Sequence, residues 1–282
     1  MKSKNLWLKL LSFVLIIASL VTLVACAADN ENESGSGSGS DSQRNNTNTG
    51  IRAEDLPPSQ NLTFALTSDK KGFQLKSASK CKDERVVIPA TYTDDSGKTL
   101  PVTTIASGAF KANKTAVTIY IPDSVTKILS TAFSEAKALT KVVCGTGIIE
   151  IGNKAFENCK SLKSIELKNG VKKLGNYAFA GCENLEAIVI PDTIETIGDS
   201  CFQRCSRMTS VTIGKNLKKM GNFTFYFCKN ISTVKFTGTT KEWKKVNPDV
   251  SCFLSVTMTK DVVCSDGKTK LPELDGQNAS LD

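Results

Sequence analysis

The chain has 282 residues, 40% of them hydrophobic and 23% charged, with a formal net charge of +8. This is the composition of a globular protein, with enough apolar residues for a core in one large domain or two small ones. The sequence contains no histidine, so it lacks the usual general base for an activated serine or cysteine and the commonest zinc ligand. Most hydrolase classes are thereby excluded, and we expect no enzyme activity, no catalytic residue, no cofactor and no metal site.

The first 25 residues have the layout of a secretory signal peptide. Lys2, Lys4 and Lys9 give the segment a positive start, and the stretch from Leu10 to Ala25 is apolar and ends in small residues. This stretch is too short and too one-sided for a comfortable membrane span. We therefore predict that residues 1–25 are an export signal.

Cys26 follows this segment directly. The residues Leu23-Val24-Ala25-Cys26 resemble the lipobox of bacterial lipoproteins, which implies cleavage before Cys26 and a lipid on its thiol. Two or three acyl chains on one cysteine anchor a protein durably, whereas a single chain binds a membrane reversibly. We expect an exported protein that is anchored to the cell envelope through Cys26 and faces the cell surface. The alternatives are an ordinary cleaved signal with an unmodified Cys26, or an uncleaved signal anchor.

Residues 26–60 are predicted to be the lipidated cysteine and a flexible linker. The Gly/Ser run at 35–40 and the Asn/Thr-rich run at 45–49 have no apolar periodicity to bury. About 24 residues of such a chain span roughly 25 to 30 Å. The globular part is therefore expected to be held off the membrane.

Positive charge is concentrated in the globular part. Residues 27–60 carry six acidic residues and two arginines, a net charge of −4, which leaves +9 from residue 61 onward. A basic surface suggests acidic partners such as polyanionic glycans, acidic proteins or a cell wall, and improved solubility is the alternative explanation. For an exported protein we expect no nucleic-acid partner.

A 23-residue repeat fills the middle of the chain. Phenylalanine recurs at this interval six times, at Phe110, Phe133, Phe156, Phe179, Phe202 and Phe225. Small residues precede the phenylalanines, and apolar residues recur every 23 residues at several other positions of the repeat. We call each such set of equivalent positions a column. A single copy cannot bury its own apolar side, so the copies must stack, and the repeat predicts a solenoid over residues 108–236.

The pattern within each copy predicts its local structure. Apolar residues two apart, as in Ile188-Val189-Ile190, predict a short strand with one face inward. Glycine follows the last apolar column in four copies, at Gly152, Gly175, Gly198 and Gly221, and we expect a turn with a positive φ there. The segment from Ala178 to Cys182 predicts that one helical or 3-10 turn completes each copy of the repeat, which we call a rung of the solenoid. The expected fold is a mainly β solenoid with a parallel sheet.

The copy that reads NLEAIVIPDTIETIGDSCFQRC from Asn184 to Cys205 resembles the BspA-like class of leucine-rich repeats. The shared pattern is L-x-x-I-x-I-P followed by V-x-x-I-G-x-x-A-F-x-x-C, although only Pro122 and Pro191 supply the proline after the strand. The resemblance implies a leucine-rich-repeat solenoid with an N-terminal cap over 61–107 and a C-terminal cap and tail over 237–282. We expect a hairpin from Phe64 to Leu75 to open the N-terminal cap.

Nine cysteines remain besides Cys26. One column, formed by Cys159, Cys182, Cys205 and Cys228, places thiols one rung apart, roughly 4.7 to 5 Å, which is within reach of disulfide bonding. Asparagine and alanine take the same position in the first two copies, so a buried ladder of small residues is the favoured explanation. The pair Cys252 and Cys264 in the C-terminal cap is the disulfide that we would test first. Closely spaced cysteine pairs of the zinc-binding kind do not occur.

The outer face of the strands is the expected ligand-binding surface. The column between the inward-facing apolar residues consists of Tyr120, Val143, Glu166, Val189, Thr212 and Lys235. This mixture of aromatic, apolar and polar groups suits an extended peptide or glycan, and a plain solvated sheet is the alternative. Two groups of lysines, Lys163, Lys168, Lys172 and Lys173 and then Lys215, Lys218, Lys219 and Lys229, are expected to form a basic edge.

The BspA-like class is associated with adhesion to host matrix proteins and with coaggregation between bacteria. The resemblance therefore implies a monomeric, surface-displayed binding protein for matrix proteins, glycans or other cells. A structural or envelope-organising lipoprotein without a host ligand is the alternative.

Overall fold

The computed structural model describes residues 51–272 of the chain. The predictions for the signal peptide, for Cys26 and for the linker up to residue 50 lie outside these residues, as does the C-terminal tail from residue 273. No helix within residues 51–272 is long and apolar enough to cross a membrane.

Short strands make up most of the described chain. In chain order they are β1 (Thr63–Leu66), β2 (Phe73–Ser77), β3 (Arg85–Val87), β4 (Thr91–Thr93), β5 (Thr99–Ile105), β6 (Thr118–Tyr120), β7 (Lys127–Ile128), β8 (Lys141–Val143), β9 (Glu150–Ile151), β10 (Ser164–Ile165), β11 (Lys173–Leu174), β12 (Ala187–Ile190), β13 (Thr196–Ile197), β14 (Ser210–Ile213), β15 (Lys219–Met220), β16 (Thr233–Phe236), β17 (Asp261–Cys264) and β18 (Gly267–Lys270). One α-helix, α1 (Thr240–Val246), and 3-10 turns at Ala53–Asp55 and Val250–Phe253 complete the elements of residues 51–272.

The strands form two parallel ladders that run along the solenoid. Strands β2, β5, β7, β9, β11, β13 and β15 form the back ladder. The second ladder consists of β3, β6, β8 and β10 and then, after an interruption in the pairing, of β12, β14, β16 and β17, and we call its outer surface the strand face. Neighbouring strands of the repeats pair residues 23 apart, as Ile128 does with Ile151. Each 23-residue copy is therefore one rung, and the predicted solenoid with parallel sheets is confirmed.

The six repeat phenylalanines form one continuous stack in the core. Each has a relative exposure of 1% or less. Neighbouring ring centroids lie 4.8 to 5.4 Å apart, and from Phe133 to Phe225 the ring planes are within 5° of parallel. Phe253 of the C-terminal cap extends the stack, 5.4 Å from Phe225. The phenylalanine column of the sequence is therefore the spine of the fold.

The turns around these phenylalanines form a third side of the molecule, which we call the turn side (residues 107–113 in the first copy to 222–228 in the sixth). Each phenylalanine N–H donates to the carbonyl of the residue before the next phenylalanine, as Phe156 does to Ala178 at 2.7 Å. Within a turn, the N–H three residues later donates back to the phenylalanine carbonyl, as Cys182 does to Phe179 at 3.2 Å. The predicted helical or 3-10 turn is thus a hydrogen-bonded turn.

Two positions in every turn have left-handed backbone geometry. They lie two residues before and two residues after the phenylalanine, and in the fourth copy they are Tyr177, with φ of 56°, and Gly181, with φ of 72°. The residues at these positions are Gly108, Thr131, Lys154, Tyr177, Ser200 and Phe223 before the ring and Ala112, Glu135, Asn158, Gly181, Arg204 and Phe227 after it. A positive φ favours glycine and is costly for bulky residues, so most copies accept local strain here.

The glycines after the last apolar column do not have the positive φ that was expected from the sequence. Gly152, Gly175, Gly198 and Gly221 are not among the positive-φ glycines of residues 51–272. A Cβ on Gly175 would lie 2.5 Å from the backbone nitrogen of Asn153 in the preceding rung. The expectation of a positive φ is wrong, because these glycines are required by the close approach of two backbones.

The first described residues run along the first rungs. The Ser59 N–H donates to the Val87 carbonyl at 2.9 Å, and the Val87 N–H donates to Ser59 Oγ at 3.1 Å. Glu54 Oε1 accepts a hydrogen bond from the Asp123 N–H at 2.8 Å. Residues 51–60, predicted to be linker, therefore contact the folded part. Strands β1 and β2 then form the predicted hairpin, with Phe64 opposite Leu75.

Helix α1 covers the other end of the solenoid. Its capping box joins Thr239 and Glu242, because the Glu242 N–H donates to Thr239 Oγ1 at 3.2 Å and Glu242 Oε2 accepts from the Thr239 N–H at 2.7 Å. Trp243 is buried, with its ring 5.3 Å from Phe236 and 6.4 Å from Phe253. The cap thus continues the aromatic core beyond the last repeat.

The stack predicts a large penalty for removing a central ring. Phe179→Ala is expected to lower the free energy of unfolding by about 3 to 5 kcal/mol, because both neighbouring rings lose their contact and a cavity remains. Urea denaturation followed by circular dichroism would measure the change. Tyr177→Ser, two residues away and exposed, is the control, with an expected change within about 0.5 kcal/mol. A loss below about 1 kcal/mol for Phe179→Ala would contradict the role of the stack.

Candidate binding site on the strand face

A groove of about 880 Å³ lies on the strand face. Five of the six predicted ligand-binding residues line it, namely Tyr120, Val143, Glu166, Val189 and Thr212, and Lys235 lies outside it. In-register pairing brings these residues together, since Tyr120 is opposite Val143 and Val189 is opposite Thr212. The structure therefore gathers the predicted column into one concave surface, and its role in binding stays a prediction.

Apolar surface is open to solvent in this groove. Val189 is 61% exposed, and Tyr120 and Val143 are half-buried. The backs of the same strands are buried, with Ile188 and Ile190 at 2% and 1% exposure. The strand alternation thus leaves valine and tyrosine side chains facing outward, where they remain accessible to a ligand.

The strand face is interrupted at the middle of the groove. Strand pairing stops at Ile165 in β10 and resumes at Ala187 in β12, so within residues 51–272 the strand face consists of two separate sheets. Glu166 lies just beyond the end of β10. The backbone of residues 166–168 therefore runs outside the strand pairing, next to the exposed side chains of the groove.

A column of varying residue type lies at the strand ends beside this interruption. A Cβ on Gly145 would lie 2.5 Å from the Pro122 carbonyl carbon, and a Cβ on Gly214 would lie 2.5 Å from the Pro191 oxygen. In these rungs a glycine thus permits close approach to the preceding proline. The same column holds Lys168 in the rung between them. Strand pairing in this rung ends at Ile165, before the column is reached.

The charges in the groove are balanced. Lys168 Nζ lies 2.6 Å from Glu166 Oε1, and the Glu166 side chain is 74% exposed. At the strand ends the Thr237 hydroxyl donates to Asp192 Oδ1 at 2.6 Å and lowers the pKa of that carboxyl, with a further hydrogen bond from the Lys215 N–H. The groove therefore presents both signs of charge around an apolar centre.

Several lining residues were not predicted from the sequence, among them Ile51, Asn169, Asp192 and Thr237. Asn169 and Asp192 belong to one column at the strand ends, so extending the column analysis past the strand would have found them. No periodic signal identifies Ile51, because it precedes the repeats and is 58% exposed beside the groove.

The predicted basic edge is divided in the structure. Lys173 pairs with Glu150 at 3.0 Å and Lys218 with Glu195 at 2.7 Å, so part of its charge is neutralised between rungs. A second groove of about 720 Å³ beside α1 brings four lysines and two glutamates together: Lys172, Lys215, Lys218, Lys245, Glu195 and Glu242. Lys163, Lys168, Lys173, Lys219 and Lys229 lie outside that groove.

The cysteines form a buried ladder, as the favoured explanation predicted. All nine cysteines of residues 51–272 are free and buried. The Cys159 thiol donates to the Phe133 carbonyl at 3.0 Å, and Cys182, Cys205 and Cys228 repeat this contact in the following rungs. Cys252 and Cys264 are not paired, because the Cys252 thiol donates to the Gly221 carbonyl at 3.1 Å. The disulfide proposed for this pair is therefore absent from the structure.

Burial keeps several of these thiols protonated. It raises the pKa of Cys144 and Cys159 to about 12 and that of Cys252 to about 11. Cys182 and Cys205 are shifted in the same direction, again mainly by burial. Since the thiolate is the reactive and metal-binding form, these residues act as packing groups. The described part of the chain also holds no group of three Cys, Asp or Glu residues placed to bind a metal ion.

A model of the BspA type leucine-rich repeat region matches the chain in six copies, over residues 98–179 and 130–254. These ranges together cover more than half of the 282 residues. None of the curated proteins matches the chain.

Solved structures of bacterial leucine-rich repeat proteins are similar to the chain. The T. pallidum leucine-rich repeat protein TpLRR is 28% identical, with a TM-score of 0.58 over 64% of this chain and 80% of that one. A leucine rich cell surface protein from Faecalibacterium prausnitzii is 23% identical, with a TM-score of 0.50 over 64% and 55%. The pneumococcal vaccine antigen PcpA is 21% identical, with a TM-score of 0.55 over 66% and 51%. The chain spans about half the length of the last two proteins, whose likeness concerns the fold.

The buried thiols predict a loss of stability at alkaline pH. Unfolded thiols ionise near their ordinary pKa of 9.0, whereas Cys159 in the folded protein stays protonated up to about pH 12. Its raised pKa supports folding fully below pH 9, and this contribution is lost as the pH rises from 9 towards 12. Between pH 8 and 10 each such thiol is expected to remove about 1 kcal/mol from the free energy of unfolding.

Urea denaturation under reducing conditions at the two pH values would measure this loss. Cys159→Ala, which copies Ala136 of the preceding repeat, is the matched variant and is expected to lose about 1 kcal/mol less than the wild type. Equal losses in both proteins would show that Cys159 does not contribute to the pH dependence.

Proposed function

The chain belongs to the BspA-type leucine-rich repeat family, and from this premise we propose that it is a surface-displayed binding protein whose strand-face groove holds an extended peptide or glycan. The observation that carries the proposal is the groove itself, in which Tyr120, Val143 and Val189 present apolar surface on three of four successive rungs. Family membership supports a role in protein interaction through the repeats. Adhesion to host matrix proteins, glycans or other cells is the specific form that we propose.

The groove fits an elongated ligand. Its residues come from successive rungs between Tyr120 and Thr212, so contacts repeat along the solenoid axis at about the 4.7 to 4.9 Å spacing of paired strands. An extended peptide or a glycan chain can contact several rungs at once, whereas a small compact ligand would use only part of the groove. The rigid stacked core beneath keeps these contacts preorganised, which lowers the entropy lost on binding.

The interruption of the strand face adds polar recognition to this apolar surface. The backbone of residues 166–168 lies outside the strand pairing, and backbone N–H and C=O groups are strong hydrogen-bonding groups. Glu166, Lys168 and Asp192 stand beside it with both signs of charge. A ligand with amide or hydroxyl groups therefore finds hydrogen-bonding partners and apolar contacts in the same groove.

The features of residues 1–26 support surface display. The predicted signal peptide would export the chain, and a lipid on Cys26 would hold it at the envelope. The protein would then present the groove to the outside as a binding scaffold.

Replacing Val189 is the direct test of the groove. Val189→Asp is expected to weaken binding by about tenfold or more, because a charge would replace apolar contact at its centre. Surface plasmon resonance with immobilised fibronectin, collagen and heparin would measure binding. Val263→Asp is the matched control, since Val263 is an exposed valine on the same face, 37% exposed and outside the groove.

The control is expected to bind like the wild type. Equal weakening by both substitutions, or none by Val189→Asp, would place the binding site elsewhere. Absence of wild-type binding to all three surfaces would contradict the adhesion proposal.

Replacing Cys26 tests anchoring and exposure together. Cys26→Ser is expected to abolish incorporation of labelled palmitate and to move the protein out of the membrane fraction. Protease added to intact wild-type cells is expected to degrade the anchored protein. Retention of the variant at the membrane would contradict lipid anchoring, and protection of the wild type would favour the envelope-organising alternative.

A further inference from the structure

A cluster of aromatic side chains lies on the turn side of the sixth repeat. Phe223 and Phe227 are 42% and 36% exposed, and Tyr226 between them is half-buried. The Tyr226 ring centroid lies 5.5 Å from that of Phe223 and 4.3 Å from that of Phe227. The three rings, which we call the aromatic patch, thus form one contiguous exposed surface.

The fold does not require these aromatic residues. The positions of Phe223 and Phe227 hold Ser200 and Arg204 in the fifth copy, and Lys154 and Asn158 in the third. The buried position between them is filled by Phe225, which belongs to the core stack. Small or polar residues therefore occupy the same turn positions in other copies of the repeat.

The backbone makes these two phenylalanines costly. Phe223 has φ of 57° and Phe227 has φ of 61°, a left-handed region that bulky residues rarely adopt. The Phe223 N–H donates to Ser251 Oγ at 3.3 Å, so the cap contacts its backbone while the ring stays exposed. Exposed rings on a strained backbone act against stability, which points to a role in binding.

Two cations flank the patch. The Arg204 guanidinium lies 5.9 Å and the Lys229 ammonium 5.4 Å from the Phe227 ring centroid, both within cation–π range. Neither Arg204 nor Lys229 forms an ion pair within residues 51–272. Two positive charges beside an apolar surface are complementary to a carboxylate beside an apolar side chain.

The composition favours a protein partner over a membrane. Phenylalanine, tyrosine and arginine are enriched at protein interfaces, and tyrosine and arginine are also enriched among binding hot spots. The Phe223 and Phe227 side chains lie along the surface and are about 60% covered, and the Phe227 ring is flanked by two positive charges. An apolar wedge that inserts into lipid would instead project from the surface without flanking charges. None of these residues lines the strand-face groove, so the two surfaces are separate.

We propose that Phe223, Tyr226 and Phe227, together with Arg204 and Lys229, form a second binding site for a protein segment that presents an acidic side chain next to an apolar one. The rings cover the apolar side chain, and the two cations pair with the carboxylate. Because the site is on the turn side, it is independent of the strand-face groove and of the ligand proposed for it.

The test is selection from a random ten-residue peptide library displayed on phage, using the full chain. Peptides that bind the wild type are counter-selected against Phe223→Ser/Phe227→Gly, which copies Ser200 and Gly181 of the same columns. This variant is expected to have an unchanged or higher Tm, because it removes two bulky residues from left-handed positions. A loss of binding therefore cannot be attributed to unfolding.

The peptides lost on the variant are expected to carry Asp or Glu adjacent to an aliphatic or aromatic residue. Arg204→Gln and Lys229→Gln are each expected to weaken a selected synthetic peptide about tenfold, and 0.5 M NaCl to weaken it further. Val189→Asp on the strand face is expected to leave its affinity unchanged.

Three results would overturn the proposal. The first is that no peptide of the library needs the aromatic patch for binding. The second is that the peptides that need the patch carry no acidic residue. The third is patch-dependent binding to phosphatidylglycerol vesicles, or patch-dependent dimerisation in sedimentation velocity, without any peptide binding.

Discussion

Contact between identical side chains at the spacing of the rungs is the interaction on which this molecule depends. One 23-residue rung has too little apolar surface to fold alone, and it gains burial only from the rungs above and below. The phenylalanine rings lie 4.8 to 5.4 Å apart, close to the separation of paired strands, so stacking and strand pairing are satisfied together. Inward positions are therefore constrained by their neighbours, while outward positions are free to vary with little effect on the core.

The repeat architecture could be predicted from the sequence because each inward column is itself periodic. The phenylalanine stack, the parallel strands and the cysteine ladder all follow from residues that recur every 23 positions. Features that depend on how two rungs pack against each other could not be predicted from the columns. Gly175 is required by the backbone of the preceding rung, and the positive φ of Tyr177 has no marker in its residue type. Phe253 joins the stack from outside the period, so nothing in the columns identifies it.

The candidate site shows the same division. The column from Tyr120 to Thr212 was evident from strand alternation, because successive residues of a strand point to opposite faces. The interruption beside Glu166 was not, since Ile165 and Leu167 keep the apolar spacing of a normal strand. The groove includes the rung that carries Lys168 at a position that its neighbours fill with glycine or proline.

If the predicted signal peptide carries the chain across a membrane before it folds, the ladder of free thiols sets an order of events. In an oxidising compartment an open chain with nine reduced cysteines is exposed to mispairing. Burial ends that exposure, because a protonated, inaccessible thiol does not exchange. Each rung pairs with the one 23 residues before it, so the solenoid can assemble one rung after another. Docking of successive rungs would then shield one cysteine after another from wrong crosslinks.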